Sequence, residues 1–178
     1  MTLFSHLIVE QIPGLRRYAR ALTGGKKENA DDLVQDTLER AYVKWHLFRL
    51  GTHLRPWLFS IMHNVFIDEA RLLKHRVTIS SVDDELTRDT LTRSVAASQE
   101  NHVQVRQTLT AVGQLPPDLR EVLVLVTVEE FSYAQAAKIL DVPVGTVMSR
   151  LSRARAQLRI LTGAPALDHP RSVLRLVE

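Results

Sequence analysis

The residues best able to do chemistry lie in one run, Phe131-Ser-Tyr-Ala-Gln-Ala-Ala-Lys-Ile-Leu-Asp-Val-Pro-Val-Gly-Thr-Val-Met-Ser-Arg-Leu-Ser-Arg-Ala-Arg155. Ser132 and Gln135 have the spacing of a helix-capping box, and Ala136-Ala137 allows two helices to cross closely. Ile139-Leu140 supplies a buried anchor and Asp141-Val142-Pro143 a tight corner, so a second helix is expected from Val144. Its inner stripe is Val147, Leu151, Ala154 and Leu158, while Thr146, Ser149, Arg150, Ser152, Arg153 and Arg155 project elsewhere, with no acid between Val144 and Leu158. Short polar side chains at a helix start can reach base edges in a major groove, and arginines can pair with phosphates or bidentately with guanine. A solvated arginine-rich helix is the ordinary alternative, but the capped helix, the proline corner and the acid-free face together indicate a DNA-binding helix-turn-helix.

The rest of the chain must position that helix. Apolar residues recur at helical spacing in almost every long segment and strand signals are scarce, which predicts an all-α protein of two small helical domains joined by a polar linker. The first domain spans 1–76. After Pro13, Leu15, Tyr18, Ala19 and Leu22 form one stripe, Gly24-Gly25 ends that helix, and Asn29 is expected to cap the next. That second helix carries Leu33, Val34, Leu38, Ala41, Tyr42 and Trp45 as its apolar set, with Asp32, Gln35, Asp36 and Glu39 on the opposite side. A third stripe, Leu54, Trp57, Leu58, Ile61, Met62, Val65 and Leu72, follows the loop from Phe48 to His53 and ends basic at Arg71, Lys74, His75 and Arg76.

Residues 77–100 are rich in Ser, Thr and Asp with weak periodicity and read as the linker. The second domain, 101–161, opens with Val105, Leu109, Val112 and Leu115 on one face, and Pro117 then starts the helix carrying Leu119 to Val128. The remainder, 162–178, is a tail in which Val173, Leu174 and Leu176 could dock as a short helix.

Composition narrows the functional classes. Lys and Arg total 23 against 20 Asp and Glu, a net charge of +3 that does not by itself indicate nucleic acid. The absence of cysteine excludes disulfides and thiolate zinc sites and suits a reducing cytoplasm, and no apolar run approaches the roughly 20 residues that span a bilayer. The seven histidines are scattered, with no metal-ligand pairing, no phosphate-cradling glycine loop and no convergent nucleophile and base, so neither enzymatic activity, a cofactor, a metal nor a small-molecule substrate is expected. His63 and His75 read as surface or DNA-facing groups.

Three ordered motifs carry a family resemblance. Asp31-Asp-Leu-Val-Gln-Asp-Thr-Leu-Glu-Arg-Ala41, Arg55-Pro-Trp-Leu-Phe-Ser-Ile-Met-His-Asn64 followed by Ile67-Asp68, and Leu115-Pro-Pro117 through Arg155 resemble the conserved regions of extracytoplasmic-function sigma factors, the two-domain subunits that direct bacterial RNA polymerase to promoters. The resemblance covers about 12–161 apart from the linker. It implies a cytoplasmic protein that binds the clamp and flap regions of RNA polymerase core and promoter DNA under the control of an anti-sigma factor. Asp32, Gln35, Asp36 and Glu39 would dock on the clamp, and a row of carboxylates beside a buried stripe independently favours a basic helical partner.

By the same resemblance, Phe48, Arg49, His53, His63, Asn64, Arg71 and Lys74 would meet the minus-ten element, where a base is held out of the stack and the Asn64 amide can donate and accept on its edge. Phe59 and Trp57 are candidates for the melted strand, although Trp57 also lies on the apolar stripe. Thr146, Ser149, Arg150, Ser152, Arg153 and Arg155 would read the minus-thirty-five element. Met148 departs from the pattern, because members often carry Lys or Arg there. The linker would either thread towards the polymerase cleft as a nucleic-acid mimic or serve as a solvated tether. Two rivals use the same helix-turn-helix: a free-standing regulator, which would need neither the acidic helix nor the Trp57 to Asn64 signature, and a sigma-like decoy for an anti-sigma protein, against which Arg150, Arg153 and Arg155 and the lack of a receiver domain argue.

Overall fold

The computed structural model describes residues 7–48, 53–79 and 110–163, and at 47 and 73–79 the backbone alone. Helices account for its regular structure: α1 (Ile12–Leu22), α2 (Lys27–Val43), a 3₁₀ turn (Trp45–Leu47), α3 (Leu54–Ile79), α4 (Pro117–Thr127), α5 (Tyr133–Leu140) and α6 (Val144–Thr162). No strand occurs among the described residues. Most of the expected linker, together with Val105 and Leu109 and the tail beyond Gly163, lies outside them.

Local chemistry explains most boundaries. Pro13 sits in the first turn of α1 and Pro117 opens α4, positions where a missing N–H costs nothing. Gly24 and Gly25 take φ of 66° and 86° and turn the chain after α1. The expected cap at Asn29 is corrected: Lys26 is the N-cap of α2 and Asn29 lies within the first turn, because the glycine turn has already brought Lys26 into extended geometry. In the second lobe Ser132 and Gln135 form the expected reciprocal capping box, with Gln135 N donating to Ser132 Oγ at 3.2 Å and Ser132 N to Gln135 Oε1 at 2.9 Å. Replacing Ser132 by Ala should cost about 1 kcal/mol, seen as a drop of about 2–4 °C in Tm. An unchanged Tm would mean that α5 is held by packing alone.

The buried set includes Leu15, Tyr18, Leu33, Leu58, Met62 and Val65 in the first lobe and Leu119, Val122, Leu125, Ile139, Val147 and Leu151 in the second. These join into one continuous core, because α1 packs on α4 and α3 on α5 as well as on their sequence neighbours. Each lobe presents an apolar face that the other covers.

The stripes are legible, but the assignments of four residues change. Tyr42 and Trp45, expected in the core, are 57% and 48% exposed, since the buried face of α2 is Ala30, Leu33, Val34, Thr37 and Ala41, with Tyr42 beside it, and Trp45 lies in the 3₁₀ turn beyond the helix. Leu72 is exposed on α3. Phe59, a candidate for melted DNA, is completely buried, with its ring stacked on Tyr18 at 5.1 Å and edge-on to Phe131 at 4.9 Å.

Candidate nucleic-acid interface

The proline corner sets the angle of α6. Asp141 adopts the left-handed conformation (φ 51°) that ends α5, and Pro143 immediately precedes the first residue of α6. Val147, Leu151 and Ala154 are then buried against α4, which fixes the rotation of the helix about its axis. Ser149, Ser152, Arg153 and Arg155 face solvent, with Thr146 half-buried beside them. Ser149 Oγ donates to the Thr146 carbonyl at 3.0 Å, and Arg153 reaches Ser149 Oγ at 3.5 Å, so the polar groups form one connected outer face. Arg150 is turned towards α4, where its Nε lies 3.4 Å from Asp118 Oδ2. That ion pair neutralises one of the six expected contacts. Met148 is 53% exposed on the outer side.

At the opposite charge extreme, Asp32, Gln35, Asp36 and Glu39 are all exposed on α2, with Gln35 Nε2 donating to Glu39 Oε1 at 3.0 Å. Three of them, Asp32, Gln35 and Asp36, also line a cleft of about 660 Å³ together with Lys26, Leu22 and Phe66. Glu69 of α3 lines it too, and its pKa is raised, first by burial and then by its hydrogen bond to Asp36 and the charge of that group. Glu69 was not recognisable from sequence. It joins the acidic face through α2–α3 packing, and the one local sign of it was a neighbouring acid, Asp68, which pairs with Arg40 at 3.0 Å.

The residues expected at the minus-ten element differ in their exposure. His53, Asn64 and Arg71 are exposed, and Phe48 packs on Trp57 with ring centroids 5.3 Å apart, leaving both half-buried. Arg49 and the side chains of Lys74 and His75 lie outside the described residues. His63 corrects the expectation of a surface group: its side chain is 12% exposed and its Nδ1 lies 2.7 Å from Glu121 Oε1 of α4.

That contact belongs to a polar seam between the lobes which sequence reasoning missed. Glu129, wholly buried just after α4, accepts from Arg17 Nε at 2.7 Å and from Arg55 Nη2 at 2.7 Å, so two helices of the first lobe converge on one carboxylate of the second. Arg55 also lies 4.7 Å above the Phe131 ring. The Tyr18 hydroxyl donates to Glu121, and burial, reinforced by the neighbouring carboxylate, holds that phenol's pKa far above its usual value. Gly14 leaves room for this carboxylate: a Cβ at that position would come within 2.9 Å of Glu129 Oε2 and displace it. A pair of acids at the end of an apolar helix is the only sequence trace of the seam, and it does not identify the partners.

Comparison with known proteins agrees with this arrangement. Residues 8–63 match the family model for the sigma2 domain of PhyR and residues 106–158 that for sigma-70 region 4. The chain is 38% identical over 154 residues to the ECF RNA polymerase sigma factor EcfG of Rhodopseudomonas palustris, covering 86% of this chain and 82% of that protein. It is 35% identical over 136 residues to the ECF RNA polymerase sigma factor SigM of Bacillus subtilis, covering 76% and 80%. Its fold superimposes with a TM-score of 0.74 and 31% identity on the sigma factor RpoE of Bartonella quintana, solved with the anti-sigma factor NepR, covering 93% of this chain and all of that one. With both lobes matched in order and aligned over most of their length to such relatives, the chain belongs to the extracytoplasmic-function sigma factors of bacterial RNA polymerase.

Proposed function

We propose that this protein joins RNA polymerase core through Asp32, Gln35, Asp36 and Glu39, with Glu69 completing the cleft, and carries it to promoters. His53, Asn64 and Arg71 meet the minus-ten element together with Phe48, Arg49 and Lys74, and Thr146, Ser149, Ser152, Arg153 and Arg155 meet the minus-thirty-five element. His63 and Arg150 act there only after leaving Glu121 and Asp118. The observation that carries this reading is the simultaneous exposure of two opposite faces, carboxylates on α2 and an acid-free arginine surface on α6. One suits a basic protein helix and the other a phosphate-lined groove.

The closed lobes are the idle form. In it, α4 covers His63, immediately before Asn64, and the seam fixes the separation between the two DNA-reading elements. An anti-sigma factor, such as the one bound to the solved relative, would stabilise this form or release it. The protein acts in the cytoplasm as a binding subunit rather than an enzyme; no described helix is long and apolar enough to cross a membrane. The match of residues 8–63 to the sigma2 domain of PhyR keeps a second reading in view, a decoy that captures an anti-sigma factor without DNA. Such a decoy has no use for the exposed Ser149, Ser152, Arg153 and Arg155.

Transcription in vitro separates these readings. Added to sigma-free core polymerase with a promoter library from the source genome, the protein is expected to yield transcripts that share two upstream elements. Absence of core binding and transcripts, with the protein alone shifting DNA, would indicate a free-standing regulator; absence of all three would indicate the decoy.

A further inference from the structure

The outer face of α6 contains an apolar strip that the phosphate-binding reading leaves without a role. Val144, Met148, Ser152 and Arg155 follow one another at intervals of four, four and three residues and therefore share one side of the helix. Val144 is 41% exposed and Met148 53%, whereas Val147, Leu151 and Ala154 on the inner side are buried. The strip occupies the first turns of the helix and gives way to a serine and then an exposed arginine. No acid occurs anywhere in α6, from Val144 to Thr162, so the surroundings of the strip suit DNA rather than a basic protein.

In a major groove these two side chains meet a restricted chemistry. Phosphates and the donor and acceptor edges of bases lose hydration against an apolar side chain and gain nothing in return. The C5-methyl group of thymine is the one apolar feature the groove presents, and contact with it is favourable. Resting on the assignment of α6 to the minus-thirty-five element, we infer that Met148, assisted by Val144, is a specificity-determining residue that selects thymine within that element. Ser149 and Arg153, on the neighbouring stripe, are exposed and would exchange their mutual contact for polar base edges, and Arg155, at the far end of the strip, would hold the backbone. This accounts for an uncharged side chain in a position where a lysine or arginine would add a phosphate contact. It exchanges affinity common to all sequences for discrimination among them.

Deoxyuridine, which differs from thymidine by that methyl alone, provides the test. Holoenzyme assembled from core polymerase and the full chain is bound to a promoter recovered by the transcription experiment, with each thymine of the protected minus-thirty-five segment replaced in turn. At one or two positions the loss should be about fourfold, the value of one buried methyl-sized group. Met148→Leu should keep this sensitivity. Met148→Ala and Met148→Lys should lose it, and Met148→Lys should steepen the dependence of log affinity on log salt by about one phosphate contact. Because Met148 is exposed, all three variants should melt like the wild type. A protected segment without thymine, equal affinity for every deoxyuridine promoter, or undiminished sensitivity in Met148→Ala would overturn the inference while leaving the sigma assignment intact. Failure of the holoenzyme to protect any minus-thirty-five segment would remove the reading beneath it, and the inference with it.

Discussion

Glu129→Ala is expected to open the protein. The carboxylate is fully buried and accepts from two arginines of the other lobe, Arg17 through two nitrogens and Arg55 through one, so its removal takes away three charge-assisted hydrogen bonds across the seam. Arg17 and Arg55 keep side-chain exposures of 52% and 38%, and can return to water, which moderates the cost of leaving them unpaired. The contact should weaken by about 1–3 kcal/mol, a shift of roughly five- to 150-fold towards separated lobes. Spin labels at the exposed Glu28 and Gln157, one on each lobe, would report this as a longer and broader distance distribution. Glu129→Gln should lie between wild type and Ala, and Glu130→Gln, which removes the same charge from the exposed neighbour, should leave the distribution unchanged. If the Ala variant retained the wild-type distances, the Phe59–Phe131 contact and the apolar surface around it would be holding the lobes without help from the seam.

The functional counterpart of that variant follows from linkage. If polymerase takes up the open form, the closed seam lowers apparent affinity by the fraction of molecules it sequesters. Glu129→Ala should therefore raise transcription when core is limiting and lose this advantage at saturating core. A decrease at every core concentration, in a variant still folded by thermal unfolding, would show that the seam is part of the working arrangement.

The second large effect separates the two surfaces. Asp36→Lys with Glu39→Lys reverses two exposed charges on α2, one of them beside the partly buried Glu69. Against a basic partner, each reversal replaces an attraction by a repulsion, and together they should reduce core affinity by about 1–3 kcal/mol, or roughly five- to 150-fold, with the greater losses at low salt. Asn64→Ala removes an exposed amide from α3 without touching the acidic face. It should leave core affinity unchanged and impair promoter opening, read as permanganate reactivity of the unpaired strand, by an amount equivalent to about 1–3 kcal/mol of lost base recognition. Equal losses of core affinity in the two variants would refute this division of labour.

Glu69 shows how the acidic face is extended by packing. The carboxyl is partly withdrawn from water and shares a hydrogen bond with Asp36, and both effects favour its protonated form. A basic side chain entering the cleft would favour the ionised form of Glu69, so docking should weaken as Glu69 takes up a proton. Asp32 and Asp36, both exposed, border a cleft whose lining also includes Leu22 and Phe66.

What the sequence determined by itself was local. The Ser132–Gln135 box, the prolines that open helices, the Gly24-Gly25 stop and the inner stripe of α6 depend on residues a few positions apart, and each appears as expected. The exposure of the acidic face and of Ser149, Ser152, Arg153 and Arg155 followed from the same helical period. Tertiary structure decided the rest. Tyr42 and Trp45 satisfy the periodicity of a core stripe yet are about half exposed, because packing buries Ala30, Leu33, Val34, Thr37 and Ala41 instead, and α2 gives way to a 3₁₀ turn at Trp45. Phe59 and His63 are covered because the second lobe lies over α3, and Arg150 is neutralised because α4 brings Asp118 beside it. The seam joins residues separated in sequence by 112, 74, 103 and 58 positions, namely Glu129 with Arg17 and with Arg55, and Glu121 with Tyr18 and with His63. No helical period reaches that far; an isolated charge in sequence acquires its partner only when two apolar faces, each incomplete in its own lobe, bury one another.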